Sequence, residues 1–371
     1  MNSKTATLNI PKEKLDFWLI GTITFLVFFG LLAIYDASVV SAYRDFGDKL
    51  YYFKNQLIWA VFGFGALGFF SFFDYKRLLK FSSIILIIAI LLLIVVLLPI
   101  VSTEIYGARR WINLGFLTFQ PSEFAKLALI FYSTEMISKF EKYKIRLIDT
   151  GIVFFLPLIL ITSLVLIQPD LGTALIYIGI MMTIYFIGQA PLWHFFTALP
   201  LLIVSVIIFI VKEPYRLTRI KSYLDPLHDP QGASYQINQI LVAISSAGLL
   251  GVGIGASRSK FAYIPEVQSD AIFAIIVEEL GFVGAIFVVS LFLFLITKSI
   301  QIALNSRDFQ GRVLAMGIVA LISFQVILNL GSAVALVPLT GIPLPFVSYG
   351  GSSLFVTMSA MGILININKH S

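Results

Sequence analysis

Long apolar runs constrain this chain more than any other feature of its sequence. A helix needs about 20 mainly apolar residues to cross the roughly 30 Å of a bilayer's hydrocarbon core. Residues 81–101 carry no charge, and comparable runs recur between residues 17 and 367. Only 12% of the residues are charged and the mean hydropathy is +0.94, so a water-soluble globule and a disordered chain are both excluded.

The runs predict an all-α fold: a polytopic membrane protein with about ten transmembrane helices, in a single membrane domain over residues 1–371. The predicted spans are 17–40, 54–73, 78–100, 121–138, 148–168, 170–189, 191–211, 270–297, 312–336 and 350–367. A tail of residues 1–16 precedes them, and a loop of residues 212–269 separates the seventh span from the eighth. Within that loop, residues 233–250 predict a short amphipathic or re-entrant helix.

The distribution of basic residues predicts the orientation of the spans, because short cytoplasmic loops are enriched in Lys and Arg. With the N-terminus in the cytoplasm, fourteen Lys and Arg residues fall on the inner side and five in the short outer loops. Both termini are then cytoplasmic, and residues 212–269 form a large extracytoplasmic loop. This bias accounts for the net charge of +6, which therefore does not indicate a nucleic-acid partner.

Cysteine and histidine contribute no recognisable site. The chain has no Cys, which excludes disulfides, thiolate catalysis and Cys-based metal centres. Its three histidines, His194, His228 and His370, are scattered along the chain and form no zinc motif.

A charged pair at the start of the fourth span is the first candidate site. Glu123 and Lys126 are three residues apart and therefore share one helix face. One interpretation is an internal ion pair that fixes helix packing. The other is a polar cavity in which Arg109, Arg110 or Lys126 binds an anionic head group.

Two carboxylates lie at predicted helix starts on the outer side. Asp170 is the first residue of the predicted sixth span. The favoured interpretation of Asp170 is a helix cap. Asp270 begins the eighth span after a basic loop that carries Arg258 and Lys260. It is either a helix cap or a general base whose pKa depends on partial burial and on neighbouring cations.

Two adjacent acids lie deeper in the eighth span. Glu278 and Glu279 follow Asp270 by eight and nine residues, which is roughly 12 to 13 Å along a straight helix. Exposure of both acids to lipid would carry a large free-energy cost. The two acids indicate an interior polar seam or a proton path in a transporter.

The segment 338–353 joins the last two spans. Its three prolines and three glycines forbid a continuous helix. Irregular backbone at membrane depth is tolerated where it lines a cavity or is buried in protein. Ser348 and Tyr349 could supply neutral hydrogen bonds there, although a structural turn accounts for the same pattern.

These motifs together resemble the SEDS family of bacterial cell-wall proteins, named for shape, elongation, division and sporulation. The resemblance runs from about residue 15 to residue 367. It is carried by four ordered motifs: Arg-Trp-Ile at 110–112, Gln-Pro-Ser-Glu at 120–123, Gln-Pro-Asp-Leu-Gly-Thr at 168–173 and Pro-Phe-Val-Ser-Tyr-Gly-Gly-Ser-Ser at 345–353. Residues 257–266 look more like the division branch, FtsW, than the elongation branch, RodA, and the sporulation member SpoVE shares the division-type pattern.

The resemblance implies polymerisation of lipid II, the undecaprenyl-diphosphate-linked disaccharide peptide, into glycan strands outside the cytoplasmic membrane. The family's essential aspartate falls on Asp270, and its outer-cavity Arg, Glu and Lys fall on Arg110, Glu123 and Lys126. The family commonly has His-Thr-Asp-Phe where residues 268–271 are Gln-Ser-Asp-Ala. The aspartate is retained, whereas the flanking His and aromatic residue are not.

The residues and the resemblance support three hypotheses about function. The leading one is a peptidoglycan glycosyltransferase for septal wall synthesis in cell division, with Asp270 as base. Arg110 and Lys126, joined by Arg258 and Lys260, would stabilise charge on the departing diphosphate. A divalent cation, Mg or Mn, could assist, but the sequence has no recognisable metal-ligand spacing.

The alternatives are a lipid II flippase or transporter and a non-enzymatic membrane scaffold of the division machinery. The chain has no evident inverted repeat, which disfavours a transporter, and a scaffold does not need ten spans. The resemblance also implies partners: a class B penicillin-binding protein, which is a single-span transpeptidase that crosslinks the strands, and other division proteins.

Overall fold

Helices account for nearly all the regular structure of this chain. The computed structural model describes residues 16–105, 108–113, 115, 117–143, 147–189, 223, 234–261 and 264–370. The helices are α1 (Phe17–Phe46), α2 (Tyr51–Phe72), α3 (Tyr75–Lys80), α4 (Ser82–Val95), α5 (Pro121–Tyr143), α6 (Leu147–Ile167), α7 (Leu171–Ile187), α8 (Tyr235–Ser246), α9 (Ile272–Asn305), α10 (Phe309–Ala333) and α11 (Gly351–Lys369). Between α4 and α5 lie three strands, β1 (Ser102–Ile105), β2 (Ala108–Asn113) and β3 (Thr118–Phe119).

Nine of the ten predicted spans coincide with helices in the part of the chain that the structure describes. The third is divided into α3 and α4 at Phe81, and the seventh, 191–211, lies outside the described residues. Helices α1, α2, α9, α10 and α11 are each long and apolar enough to cross a membrane. The prediction of a helical, polytopic membrane protein is confirmed.

The helices divide into central and lipid-facing ones. Helix α5, the least apolar predicted span, packs against α4, α7 and α10, and residues 121–131 are buried except Phe124. Helices α1, α2 and α9 instead keep large apolar side chains on the surface, such as Phe28, Phe62 and Phe287. The charged first turns of α5 are thus enclosed by protein while apolar side chains of α1, α2 and α9 face the lipid, as the cost of burying charge in hydrocarbon requires.

A small antiparallel sheet between α4 and α5 is the part of the fold that the all-α prediction did not contain. Its strand order is β1-β2-β3, with Thr103 opposite Trp111 and Ile112 opposite Phe119. Pairing of the three strands satisfies backbone N–H and C=O groups of this connection. The sheet holds β2, which carries Arg110, against the end of the bundle.

Helix α9 is interrupted at Gly281, whose φ of 71° and ψ of −168° are far from helical values. The preceding loop fills the interruption with backbone hydrogen bonds. Val252 N donates to Glu278 O at 2.9 Å, and Phe282 N donates to Gly248 O at 3.0 Å. The groups that lose their helical partners at the break are therefore satisfied by the loop.

This insertion changes the interpretation of the predicted loop 212–269. Part of it is a helix, α8, whose Ile237, Ile240 and Ala243 are buried on one face, which confirms the predicted amphipathic helix within 233–250. The residues that follow α8 are bonded into α9 at Gly281 instead of forming a free loop.

Replacement of Gly251 by alanine is expected to destabilise the protein more than the same change at Gly255. Both glycines have positive φ, 77° and 81°, and a non-glycine residue in such a conformation costs about 1–2 kcal/mol. A Cβ on Gly251 would also collide with the Glu279 carbonyl, whereas nothing lies within 4 Å of one on Gly255. Thermal unfolding of the purified variants measures the difference, and equal losses would show that the loop is not held in the break.

Candidate active site

The candidate residues from distant parts of the chain are joined at one end of the bundle. Tyr349 N donates to Gln268 O at 2.8 Å, which joins the start of α11 to the start of α9. Gln120 N donates to Ser352 Oγ at 3.0 Å, which joins the start of α5 to the start of α11. The starts of α5, α9 and α11 therefore meet in one region.

Asp270 lies in this region, two residues before the start of α9, and is half-buried. Ser269 Oγ donates to its Oδ1 at 2.9 Å. Asn329 on α10 donates to the Asp270 carbonyl at 3.3 Å and to the Ile342 carbonyl at 2.8 Å. A Cβ on Gly341 would lie 3.6 Å from Asp270 Oδ2, so Gly341 directly adjoins the carboxylate.

Of the two carboxylates predicted at helix starts, Asp170 is confirmed as a helix cap. Asp170 caps α7, because its Oδ1 accepts from Thr173 N at 3.0 Å and its Oδ2 from Thr173 Oγ1 at 2.8 Å. At the start of α9 the residue in the cap position is Ala271, whose methyl side chain makes no cap hydrogen bond. The role of Asp270 as a general base stays a prediction.

Segment 334–350 between α10 and α11 has no regular secondary structure, as its prolines and glycines predict. Ser348 is buried, and its Oγ accepts from Leu344 N at 2.9 Å, which closes a turn. The Tyr349 ring packs edge-on against Tyr52 with 5.0 Å between centroids. Burial raises the pKa of Tyr349 to about 12, so its phenol remains a neutral hydrogen-bond donor at physiological pH.

Glu123 and Lys126 form a buried ion pair. Lys126 Nζ lies 2.6 Å from Glu123 Oε1, with side-chain exposures of 1% and 4%. Pro121 begins α5, so the carboxylate lies in the first turn, where the helix dipole favours negative charge. The predicted shared face is confirmed.

Several buried polar side-chain atoms on α5, α10 and α11 have no hydrogen-bond partner among the described residues. Such atoms are the places where proteins hold internal water or polar ligand groups. They include Glu123 Oε2, Ser122 Oγ, Ser353 Oγ, Asn329 Oδ1 and both amide atoms of Gln325.

Arg110 contacts protein carbonyls. Its Nε donates to Gln168 O at 2.8 Å and its Nη2 to Pro169 O at 2.5 Å. Gln168 is held in turn, since its Nε2 donates to Leu93 O at 3.1 Å. The guanidinium thus clamps β2 to the turn before α7, and anion binding by Arg110 stays a prediction.

Glu278 and Glu279 form an interior polar seam that the loop closes. Both are buried. Glu278 Oε2 accepts from Ser257 Oγ at 2.6 Å, and Glu279 Oε2 accepts from Gly255 N at 3.0 Å. The two carboxylates therefore bind the loop backbone and side chains, and they do not line an open proton path in the described region.

Lys260 neutralises this seam. Its Nζ lies 2.8 Å from Asp36 on α1 and 2.9 Å from Glu279 on α9. Burial lowers the pKa of the Lys260 ammonium, but its hydrogen bonds to the two carboxylates outweigh that effect and raise the pKa, so the side chain stays protonated. The sequence interpretation gave Lys260 a phosphate partner, whereas here it binds carboxylates of the protein itself.

Arg258 differs from Lys260 because its side chain is exposed. Only its backbone is bound to the seam, through N donating to Glu278 Oε1 at 3.2 Å. The guanidinium is therefore exposed on the protein surface, while the Arg258 backbone is held in place.

The structure adds residues that the sequence analysis did not single out. Asn329 connects Asp270 to segment 334–350, and Asp36 completes the ion cluster of Lys260. Each is a polar residue in an otherwise apolar predicted span, and this is the sequence feature by which both could have been found. In the part of the chain that the structure describes, no three His, Cys, Asp or Glu side chains converge to hold a metal ion, so the divalent cation considered above gains no ligand set.

Fold and site together define a polytopic membrane protein with an enclosed polar region and a half-buried carboxylate at one end of its bundle. Residues 17–371 match the family described as cell cycle protein, FtsW/RodA/SpoVE. The chain therefore belongs to this family, which confirms the resemblance drawn from the motifs.

Relatives of known name cover almost the whole chain. Stage V sporulation protein E of Bacillus subtilis (strain 168) is 39% identical over 98% of this chain and 100% of its own length. A probable peptidoglycan glycosyltransferase FtsW of Trichlorobacter lovleyi is 37% identical over 95% of this chain and 93% of its own length. Sporulation and division names both occur, so the assignment to the division branch stays a prediction.

Solved structures share the fold. A chain of a peptidoglycan synthase complex, from a structure described as showing coordination of polymerization and crosslinking, has a TM-score of 0.76 and 28% identity and covers 95% of this chain and 97% of its own length. The rod shape determining protein RodA of Thermus thermophilus has a TM-score of 0.69 and 26% identity, with 95% and 96% covered.

Proposed function

We propose that this chain is a peptidoglycan glycosyltransferase that polymerises lipid II, with septal wall synthesis as its role. Relatives such as those of Trichlorobacter lovleyi and Coxiella burnetii are named probable peptidoglycan glycosyltransferases. The observation that carries the proposal is the half-buried carboxylate of Asp270 just before α9, which accepts a hydrogen bond from Ser269 and adjoins Gly341 of segment 334–350.

In the proposed reaction Asp270 acts as general base. It accepts the proton of the 4-hydroxyl of N-acetylglucosamine on an acceptor lipid. The freed oxygen forms a bond to the anomeric carbon of muramic acid on a donor lipid, with inversion. The bond from that carbon to the diphosphate oxygen breaks, and its electron pair leaves with undecaprenyl diphosphate. Ser269, 2.9 Å from Oδ1, orients the carboxylate.

Charge on the departing diphosphate needs cations or donors that are already in place. Arg110 and Lys126 are proposed for this role because both lie in the polar region near the starts of α5 and α11. Ser348 and Tyr349 are proposed to add neutral contacts from segment 334–350. Lys260 is proposed to hold the loop before α9 in place and not to bind the diphosphate, because Asp36 and Glu279 already balance its charge.

The transporter hypothesis loses its main support. It relied on Glu123, Lys126, Glu278 and Glu279 as a polar translocation path. Glu278 and Glu279 are hydrogen-bonded to the loop that precedes α9, and Glu123 and Lys126 bind each other. Removing those bonds to open a path would leave buried charges without partners, at a cost of several kcal/mol.

The proposed location is the bacterial cytoplasmic membrane, with both termini in the cytoplasm and Asp270 on the outer side, as the basic-residue bias predicts. The natural chain has no Cys, so single cysteines test this. In cells with a permeabilised outer barrier, an impermeant maleimide should label Lys49→Cys and spare Asn305→Cys, two exposed positions. The reverse pattern would place Asp270 in the cytoplasm and remove the proposal.

The proposed partners are a class B penicillin-binding protein, which crosslinks the strands, and other division proteins. The support is the description of the structural relative as a chain of a peptidoglycan synthase complex. Lipid II is the proposed substrate of both the donor and the acceptor positions.

The experiment that tests the function supplies the purified full-length chain with lipid II alone. Formation of glycan polymer is the expected result. In parallel, vesicles with labelled lipid II report transfer between leaflets. Transfer without polymer would establish the flippase alternative. Polymer only after addition of the transpeptidase would indicate a polymerase that its partner activates, and neither activity would favour the scaffold.

A further inference from the structure

Two groups of charged residues lie at opposite levels of the same pair of helices. At one level Lys298 on α9 approaches Asp16 at the start of α1, with 3.9 Å between Nζ and Oδ2. At the other level Lys260 binds Asp36 on α1 and Glu279 on α9. Both groups connect α1 to α9, so they form two cross-links between adjacent helices.

The separation of the two cross-links equals the thickness of a membrane's hydrocarbon core. Asp16 and Asp36 are twenty residues apart, and Glu279 and Lys298 are nineteen apart, which correspond to about 30 Å and 28 Å of helix. The hydrocarbon core is about 30 Å thick. No charged residue occurs in 17–35 or 280–297.

Surface exposure changes at the level of the second cross-link. Residues 272–279 of α9 are buried without exception, whereas Phe282 and Val283, just beyond the break, are each 56% exposed. Helix α9 therefore meets lipid only from Gly281 onwards. The part of α9 next to Asp270 projects beyond the hydrocarbon and is enclosed by protein.

The loop that fills the break lies at this hydrocarbon edge, and we call residues 248–261 the lip. Its backbone bonds to both sides of Gly281. Three of its apolar side chains are among the most exposed in the described chain: Leu249 at 72%, Leu250 at 79% and Ile254 at 83%. Exposed leucine and isoleucine at this level are buried by lipid chains, as in interfacial anchors.

Arg258 is the exposed cation of the lip. Its backbone is held to Glu278, one residue from the second cross-link, so its side chain starts at the hydrocarbon edge. Lipid phosphates lie at the same level, and a guanidinium binds phosphate through paired charged hydrogen bonds. The exposed Leu249, Leu250 and Ile254 of the lip can pack against the hydrocarbon chain of the same lipid.

The height of Asp270 above this edge distinguishes the two substrates. Asp270 precedes Glu278 by eight residues, or about 12 Å of helix. In the donor, the reacting anomeric carbon is bonded directly to a diphosphate oxygen. In the acceptor, the reacting 4-hydroxyl stands two sugar rings from the diphosphate. A lipid whose diphosphate lies at the hydrocarbon edge can therefore bring its 4-hydroxyl to Asp270 as an acceptor. The same lipid could not bring its anomeric carbon there as a donor.

We infer that the lip and Arg258 form the binding site for the diphosphate and adjoining isoprenoid units of the acceptor lipid. The inference rests on the proposed glycosyltransferase function and reassigns Arg258 from the leaving diphosphate to the acceptor's diphosphate.

The test separates donor from acceptor with two analogues. Lipid II that lacks the N-acetylglucosamine 4-hydroxyl acts only as donor, and the methyl glycoside of the disaccharide peptide acts as an acceptor without diphosphate. With the donor analogue saturating, Arg258→Ala should raise the KM for lipid II as acceptor roughly tenfold or more, which is the loss of one charged hydrogen bond. The KM values for the methyl glycoside and for the donor analogue should not change.

The matched control is Arg44→Ala. Arg44 is exposed near the end of α1 and already pairs with Asp45 at 2.7 Å, so its removal should alter none of the three KM values. Arg258→Lys should recover part of the lost affinity, which a misfolded variant would not allow.

Two results would overturn the inference: a raised KM for the donor analogue, which would return Arg258 to the leaving group, or unchanged affinity for lipid II as acceptor. Failure of the wild-type chain to join any pair of substrates would instead count against the proposed function.

Discussion

Asp270→Asn is expected to abolish glycan polymerisation while the protein still folds. The amide keeps the size of the side chain and its hydrogen bond from Ser269, but it cannot accept the acceptor's proton. Loss of a general base lowers rates by about 10² to 10⁴-fold. Polymer formation from lipid II by the purified variant measures the rate, and size-exclusion behaviour with thermal unfolding checks the fold.

Asp45→Asn is the control for that experiment. Asp45 is an exposed acid near the end of α1, paired with Arg44, and its neutralisation should leave the rate close to that of the wild type. If Asp270→Asn also retained near wild-type activity, Asp270 would be a structural residue and the proposed mechanism would lose its base.

Glu123→Ala and Lys126→Ala are expected to cause the largest losses of stability. The side chains are 4% and 1% exposed, so removal of either partner leaves a buried charge without its counter-ion. Such changes cost about 3–5 kcal/mol. Thermal or denaturant unfolding of the purified variants measures the loss, and polymerisation assays should show reduced activity in both.

The charge-swapped double variant separates stability from function. Exchange of Glu123 and Lys126 restores a pair and should recover part of the stability but not the activity, because the cation is moved. Full recovery of activity would show that the pair is structural alone. Lys139→Ala is the control: its partnership with Glu135 is similar in spacing, but Lys139 is 49% exposed, so the change should cost less than about 1 kcal/mol.

Local spacing was enough to predict several parts of the site. Glu123 and Lys126 share a face because a helix brings residues three apart together, whatever surrounds it. Asp170 caps α7 because it immediately precedes that helix, and caps depend on the nearest amides. The irregular segment 334–350 follows from its prolines and glycines.

Other parts of the site depended on residues far apart in the chain. The partner of Lys260 on α1, Asp36, is 224 residues away, and no spacing rule connects them. Arg110 meets the carbonyl of Gln168, 58 residues away. Both cations were expected to bind substrate, since a sequence shows that a cation is present but not which protein groups already surround it.

The sequence alone determined that this chain crosses a membrane many times, because about 20 mainly apolar residues in a row can span the hydrocarbon core as a helix and the length of each run is read directly from the sequence. Only the tertiary structure decided that α9 breaks at Gly281 and that the loop before it fills the break. A glycine in an apolar helix carries no local signal of a break. The interruption is stable because a distant segment supplies the backbone hydrogen bonds that the helix gives up, and that pairing exists only after the chain has folded.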